Sequence, residues 1–217
     1  MSDRDVLLEL VRGAAAAIEQ SRRRLDDLNV YPVPDGDTGT NLARTTGVIV
    51  GSLEQTDAQS RAELAQATMQ AAVMGARENS GVILSQIVRG AAQTLATAEE
   101  IDAPAVAAAF RAAADAADRG VRRPVEGTML TVMRELAAEA ERKASAELPV
   151  AELLDELVEH GDDAVARTRE QLDVLREAGV VDAGAAGLVE LLRGLAASLA
   201  GRPARGERLL RLVSADE

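Results

Sequence analysis

Apolar residues recur along this chain at steps of three and four, and the pattern resets wherever Gly, Pro or a capping residue intervenes. Val6, Leu7, Leu10, Val11, Ala14 and Ile18 share one face of a helix predicted over about 3–24. A second helix is predicted from about Thr40 to Glu54, and Ser60 is placed to cap a third that closes at Gly75. A fourth covers about 81–96. Asp102 followed by Pro104 starts a fifth, with Val106, Phe110, Ala113 and Ala117 on its apolar face and Gly120 at its end; a sixth follows Gly127. The seventh is the longest, a stripe running from Leu154 through Leu157, Val158, Gly161, Val165, Thr168 and Leu172 to Leu175, with its end at Gly179. The eighth starts after Asp182 and carries Leu188, Leu191, Leu192, Leu195 and Leu199, before "GRPARGERLL" breaks the period. The fold class predicted is all-α, with residues 1–200 as one domain and 201–217 as a tail or the start of a linker.

Helices joined by short loops lie antiparallel, so successive loops alternate between the two ends of a bundle. Loops 1–2, 3–4, 5–6 and 7–8 then share one rim: "NVYPVPDGDTG", "GARENSG", "GVRRPVEGT" and "GVVDAG". The opposite rim receives "QTDAQS", "TAEEIDAP" and "ASAELP". All the glycine-rich loops therefore fall on one rim, which is the expected functional site.

Composition narrows what that rim can do. Aromatic residues make up 1% of the chain, so the core has to come from Leu, Val, Ile, Met and close-packed Ala. A net charge of -12 repels phosphate backbones and anionic membranes, so nucleic acid is not an expected partner. With no Cys and a single His, His160, the chain lacks the side chains for thiol catalysis, zinc clusters or a Ser-His-Asp triad. Acids stand in "MSDRDVLLEL" where a signal peptide would be basic, and no apolar run reaches membrane-spanning length. A cytoplasmic location without membrane insertion is the expectation.

Within "NVYPVPDGDTGTNL", Asp35 and Asp37 bring two hard oxygen donors close together, a conflict that a divalent cation between them resolves. An EF-hand loop would need Asp or Asn at 39, Gly at 40 and Glu at 46, and the chain has Gly39, Thr40 and Thr46 there. Mg2+ suits so few acids better, because it keeps waters and is completed by substrate phosphates. Asn29, Thr38 and Thr40 are candidate neutral oxygens. The bland alternative is a turn in which Asp37 or Thr38 merely caps the second helix. Helix starts elsewhere on the rim suit anions: in "ENSGVIL", Asn79 or Ser80 is the expected cap, with the amides of Ser80, Gly81 and Val82 facing outward. "EGTML" repeats the arrangement with Thr128, and Met129 and Leu130 could face a base. "VVDAGAAGL" adds a cap at Asp182 and close backbone approach at Gly184. Together these features describe a nucleotide and metal site.

The segments "LNVYPVPDGDTGTNL", "GARENSGVILSQI", "GTMLT" and "VVDAGAAGL", in this order, closely resemble the kinase domain of bacterial fatty acid kinases, within the dihydroxyacetone-kinase L-subunit family. The resemblance covers about 6–199. It implies an eight-helix antiparallel barrel whose rim binds ATP or ADP through two Mg2+ ions held by Asp35 and Asp37. It also implies that Asn41 lies near the phosphates, Ser80 and Gly81 form the phosphate turn, and Thr128 and Met129 lie near the nucleoside, with Asp182 and Gly184 in the last rim loop. The dihydroxyacetone branch typically has His after the second acid and another Asp upstream, whereas this chain has Thr38 and no acid from Val30 to Pro34. That favours the fatty acid branch and leaves the third ligand open among Asn29, Asp26 and Asp27. Ala185 and Ala186 stand where the family tends to have Gly and a polar or basic residue.

The function expected is an ATP- and Mg2+-dependent phosphotransferase domain that phosphorylates a fatty acid carboxylate presented by a separate lipid-binding protein, giving an acyl phosphate. A homodimer formed through further downstream domains is part of the same expectation. The alternatives are a dihydroxyacetone kinase subunit of the L type, a nucleotide-binding module without catalysis, and an all-α interaction scaffold.

Overall fold

A computed structural model describes residues 2–202. Nine helices form among them: α1 Asp3–Asp27, α2 Thr38–Gln55, α3 Arg61–Gly75, α4 Glu78–Thr97, α5 Ala103–Gly120, α6 Met129–Lys143, α7 Val150–Gln171, α8 Asp173–Ala178 and α9 Ala183–Leu199. Local chemistry sets the starts. Ser2 with Asp5 and Ser60 with Glu63 make reciprocal capping boxes for α1 and α3, and Asp102 accepts from the Ala105 amide at 2.8 Å with Pro104 in the first turn of α5. The described residues contain no strand.

Sequence neighbours pack side by side from α1 round to α7, and α9 then packs on both α7 and α1, which closes the ring of long helices. At the closing seam the α1 and α9 backbones nearly touch: a Cβ added to Gly194 would lie 2.4 Å from the Gly13 carbonyl oxygen. The main core fills the ring with Ile18, Leu25, Leu42, Val132, Leu136, Leu153, Leu157, Val165 and Val189. A second cluster, with Leu8, Ile49, Leu53, Leu64 and Ala72, seats α3 on α1 and α2. The architecture is that of the predicted all-α antiparallel barrel. It has one short helix more, because the predicted seventh helix breaks at Leu172, which is extended (φ -130, ψ 118), and restarts as α8. The restart buries Leu175 and reaches Gly179, whose φ of 70 lets the chain turn toward α9.

One buried ion-pair group lies among α1, α7 and α9. Arg193 of α9 binds Asp162 of α7 at 2.6 Å and Glu190 at 3.2 Å, and Ser21 of α1 donates to Glu190 at 3.4 Å, so one ionic group fastens three helices. Burial pushes the Glu190 carboxyl up, against the pull of Arg193. At the rim away from the Asp35 loop, Arg4 donates to the carbonyls of Leu53 and Glu54 that end α2, and Arg61 to those of Ala98 and Glu99 that follow α4. No described helix is long and apolar enough to cross a membrane. Of the segment 201–217, only Gly201 and Arg202 are among the described residues.

Candidate functional site

The segment from Asn29 to Asp37 crosses from α1 to α2 with little regular structure, and two hydrogen-bond anchors shape it. Buried Asn29 donates from Nδ2 to Asp35 Oδ1 at 2.6 Å. Asp26, on the last turn of α1, accepts from both the amide and the hydroxyl of Thr40 at 2.9 Å. Gly36, at φ 67, separates the two carboxylates. Asp37 occupies the N-cap position of α2 without making a side-chain cap bond, because Asp26 already holds the first-turn amide. The capping account of Asp37 therefore fails.

The Asp37 carboxyl is held above the usual carboxylate range, first by burial, then by the charge of Asp35 and a contact with its carboxylate, then by the charge of Glu78. Asn41 works in the opposite direction. Its side chain lies near enough to hold Asp37 partly down, yet its buried Nδ2 makes no hydrogen bond of normal geometry. Two facing carboxylates are a ligand pair whose mutual repulsion a divalent cation relieves, whereas the orphaned Asn41 Nδ2 is an N–H donor that calls for an anionic acceptor. Among the described residues no cluster of three or more His, Cys, Asp or Glu could hold a metal, so any ion here takes two carboxylates and neutral oxygens. That composition fits hydrated Mg2+. Asp26, weighed as a third ligand, is spent on Thr40. Thr40 in turn has both its amide and its hydroxyl committed, and Thr38 is buried in the first turn of α2.

The start of α4 adjoins this loop. A Cβ on Gly81 would meet Thr45 Oγ1 of α2 at 3.1 Å, and Glu78 acts on Asp37. The helix begins three residues earlier than the sequence pattern predicts. Neither Asn79 nor Ser80 is its cap: Arg77 takes that position without a side-chain cap bond, and Asn79 and Ser80 lie within the first turn. The other three long helices that start on this rim each turn an amide toward a protein carboxylate. Thr40 of α2 bonds Asp26 and Ala185 of α9 bonds Asp182, while Met129 of α6 turns its amide toward the same Asp182 carboxylate. Among the described residues, only α4 of these four keeps its first-turn amides, at the positive end of its dipole, without such an acceptor.

Thr128, Met129, Asp182 and Gly184 form a second group. Thr128 donates its hydroxyl to the Val125 carbonyl oxygen at 2.8 Å, and the Gly127 amide donates to Thr131 Oγ1 at 3.0 Å, so the turn before α6 is satisfied internally. Gly127, at φ 79, packs so closely that a Cβ would lie 2.9 Å from Gln171 Cβ. Buried Asp182 accepts from the Ala185 amide at 2.7 Å, and burial raises its carboxyl to about 6 against the pull of the Ala185 and Met129 amides. The missing Cβ of Gly184 leaves room for Met129 Cε and Asp182 Oδ1 at 3.1 and 3.3 Å, so this glycine serves packing within the rim. Between the two groups Leu42 of α2 presses into the groove at Gly187 of α9, where a Cβ would lie 2.2 Å away.

The rim thus gathers Asn29, Asp35, Asp37, Asn41 and the 78–81 turn on one side, and Thr128, Met129, Asp182 and Gly184 on the other. Glu78 was not singled out in the sequence. It has a positive φ of 50, alone among the described non-glycine residues, a conformation that a residue pattern does not disclose.

The DAK2 domain family model matches residues 32–197. The chain is 42% identical over 195 residues to protein YloV of Bacillus subtilis, covering 89% of this chain and 35% of that protein. It is 39% identical over 199 residues to an uncharacterized protein of Staphylococcus saprophyticus, covering 92% and 36%. The chain thus spans about a third of the length of these relatives. Among solved structures, the dihydroxyacetone kinase from C. freundii in complex with AMP-PNP and Mg2+ matches with a TM-score of 0.64 at 20% identity, over 88% of this chain and 33% of that one.

Proposed function

The chain belongs to the DAK2 domain family, and from that premise we propose that it is a Mg2+- and ATP-dependent phosphotransferase domain whose acceptor is a fatty acid carboxylate held by a separate lipid-binding protein. The observation that carries the reading is the facing pair Asp35 and Asp37, excused from capping and set beside the one long rim helix whose first amides no carboxylate occupies. The C. freundii kinase, whose fold this chain shares, was crystallised with AMP-PNP and Mg2+. That supports a nucleotide and Mg2+ at the corresponding rim.

Asp35 and Asp37 would hold Mg2+, with Asn29 orienting Asp35 and Asn41 offering an amide beside Asp37. When bound, the ion supplies charge neutralisation for the phosphoryl oxygens. The first-turn amides of α4, at Glu78, Asn79 and Ser80, with Gly81 behind them, are assigned to phosphate, and Thr128 and Met129 line the nucleoside side. In the transfer, the bond from the γ-phosphorus to the β,γ-bridging oxygen breaks and one from a carboxylate oxygen forms, leaving ADP and an acyl phosphate. A fatty acid is already ionised at neutral pH and gives up no proton. This agrees with a rim whose motifs carry no His or Cys to act as base or phosphoenzyme.

Dihydroxyacetone is the second reading, supported by the fold shared with the C. freundii enzyme. Thr38, at the position where that branch typically has His, speaks against it. The discriminating assay supplies radiolabelled ATP and Mg2+ with an oleate-loaded binding protein in one tube and a dihydroxyacetone-loaded kinase subunit in another. Label in acyl phosphate, trapped with hydroxylamine as the hydroxamate, is expected in the first. Label in dihydroxyacetone phosphate alone would replace this reading with the second.

A further inference from the structure

Asp182 is a buried carboxylate that the transfer does not use, and its surroundings explain why it is there. It lies at the N-cap of α9, with the residue 5% exposed. Its backbone amide donates to Thr168 Oγ1 of α7 at 3.0 Å, and Thr168 is itself fully buried. Its carboxylate accepts from the amide of Ala185, in its own helix, and lies near enough to the amide of Met129, the first residue of α6, to be pulled down by it without a hydrogen bond of normal geometry. One side chain thus satisfies an orphan donor at the start of α9 and faces the start of α6, while its main chain is tied to a third helix. Two positive helix ends brought together need an anion between them, and here the protein provides its own.

Resting on the nucleotide-site reading above, we propose that Asp182 is a positioning residue: it locks the starts of α6 and α9 into one preformed wall of the nucleotide site without touching the nucleotide. The neighbouring geometry agrees. A Cβ on Gly184 would lie 3.1 Å from Met129 Cε and 3.3 Å from Asp182 Oδ1, so the Met129 turn and the Asp182 turn pack closely on each other. The Gly127 turn is wedged from its other side against Gln171 and Leu172. Both faces of the Thr128–Met129 segment are therefore braced before any ligand arrives. A preformed wall saves the ordering cost that a loose one would lose on binding.

The test uses the full chain and three measurements: calorimetric affinity for Mg-ADP, hydrogen exchange of the 127–131 and 182–186 amides without nucleotide, and the melting temperature. Asp182→Asn should weaken Mg-ADP binding about tenfold and speed exchange in both segments. Thr168→Val leaves the carboxylate in place and removes only its backbone tether, and should shift both readouts in the same direction by about threefold. Should Asp182→Asn fail to fold, Thr168→Val decides alone. Unchanged affinity in a folded Asp182→Asn, whatever its melting temperature, would make the residue merely structural and overturn the proposal. Weakened binding in Asp182→Asn with none in Thr168→Val would also overturn it, since the carboxylate would then be a direct contact. If the unmodified chain binds no Mg-ADP, the nucleotide reading itself falls and the proposal with it, whereas normal binding with unaffected variants sinks the proposal alone.

Discussion

Asp26 and Thr40 are joined by two hydrogen bonds of 2.9 Å across 14 residues, one from the Thr40 amide and one from its hydroxyl. This clamp fastens the end of α1 to the start of α2, and so sets the span that the loop carrying Asp35 and Asp37 must cross. It also relieves Asp37 of the capping duty that its N-cap position would ordinarily impose.

Removing the clamp should loosen the loop without removing a metal ligand. Asp26→Ala is expected to lower stability by about 1–2 kcal/mol, the usual worth of a lost cap with its hydrogen bonds. Chemical denaturation gives the number, and Mg2+ titration of the folded variant should show weakened binding rather than abolished binding. Complete loss of Mg2+ binding in a folded Asp26→Ala protein would return Asp26 to the ligand set.

Glu78 sits at φ 50, where an L side chain is strained, and its charge adds to the repulsion felt by Asp37. Glu78→Gly should raise stability by about 1 kcal/mol, since glycine adopts this conformation without penalty. Denaturant midpoints of the two proteins test this. A destabilised Glu78→Gly would mean that the side chain makes a stabilising contact outweighing its strain.

At the closing seam, Gly194→Ala places a methyl group 2.4 Å from the Gly13 carbonyl oxygen, a backbone atom that cannot swing aside. The helices must part. A loss of about 2–3 kcal/mol is expected from overpacking, read as a lowered denaturation midpoint. An unchanged midpoint would show that α1 and α9 pack less closely than this.

Much of this architecture was legible in the chain. The stripes of Leu, Val and Ala at helical spacing, with Ser60, Asp102 and Gly179 as punctuation, marked the eight long helices, and loop parity alone placed the four glycine-rich loops on one rim. The break at Leu172 was not visible, because that residue continues the apolar stripe and only tertiary packing decides its backbone. The site was legible as residue types but not as roles. Asp182 read as a simple helix cap, yet its carboxylate also faces the amide of Met129, more than fifty positions away, and no local pattern encodes such a contact. Asp26 and Asp27 looked equivalent as neighbouring acids. The helical turn, which separates them by about 100°, brings only Asp26 to Thr40.

Burial holds the Asp182 carboxyl at about 6 in the folded state, against 3.8 for an ordinary Asp in water, while the Ala185 and Met129 amides pull it down. The folded state therefore binds this proton more tightly than the unfolded chain does. Its contribution to stability is fully present below 3.8 and is lost as pH rises through about 6. The stability of the unmodified protein minus that of Asp182→Asn should thus fall by up to about 3 kcal/mol between pH 4 and 6, and stay level above about 7. Denaturant unfolding of both proteins across that range measures it. A difference that is flat or rises with pH would show that the carboxyl is not raised.

If Asp35 and Asp37 hold Mg2+ beside a phosphate-binding helix start, nucleotide binding depends on the ion, and calorimetry reads that dependence. ATP titrated into the protein should give little heat without Mg2+ and saturable one-site binding with it. Asp35→Asn and Asp37→Asn should each abolish that Mg2+-dependent binding while leaving the melting temperature nearly unchanged, since neither carboxylate caps a helix. Equal ATP binding with and without Mg2+, or normal Mg2+-dependent binding in either variant, would contradict the account.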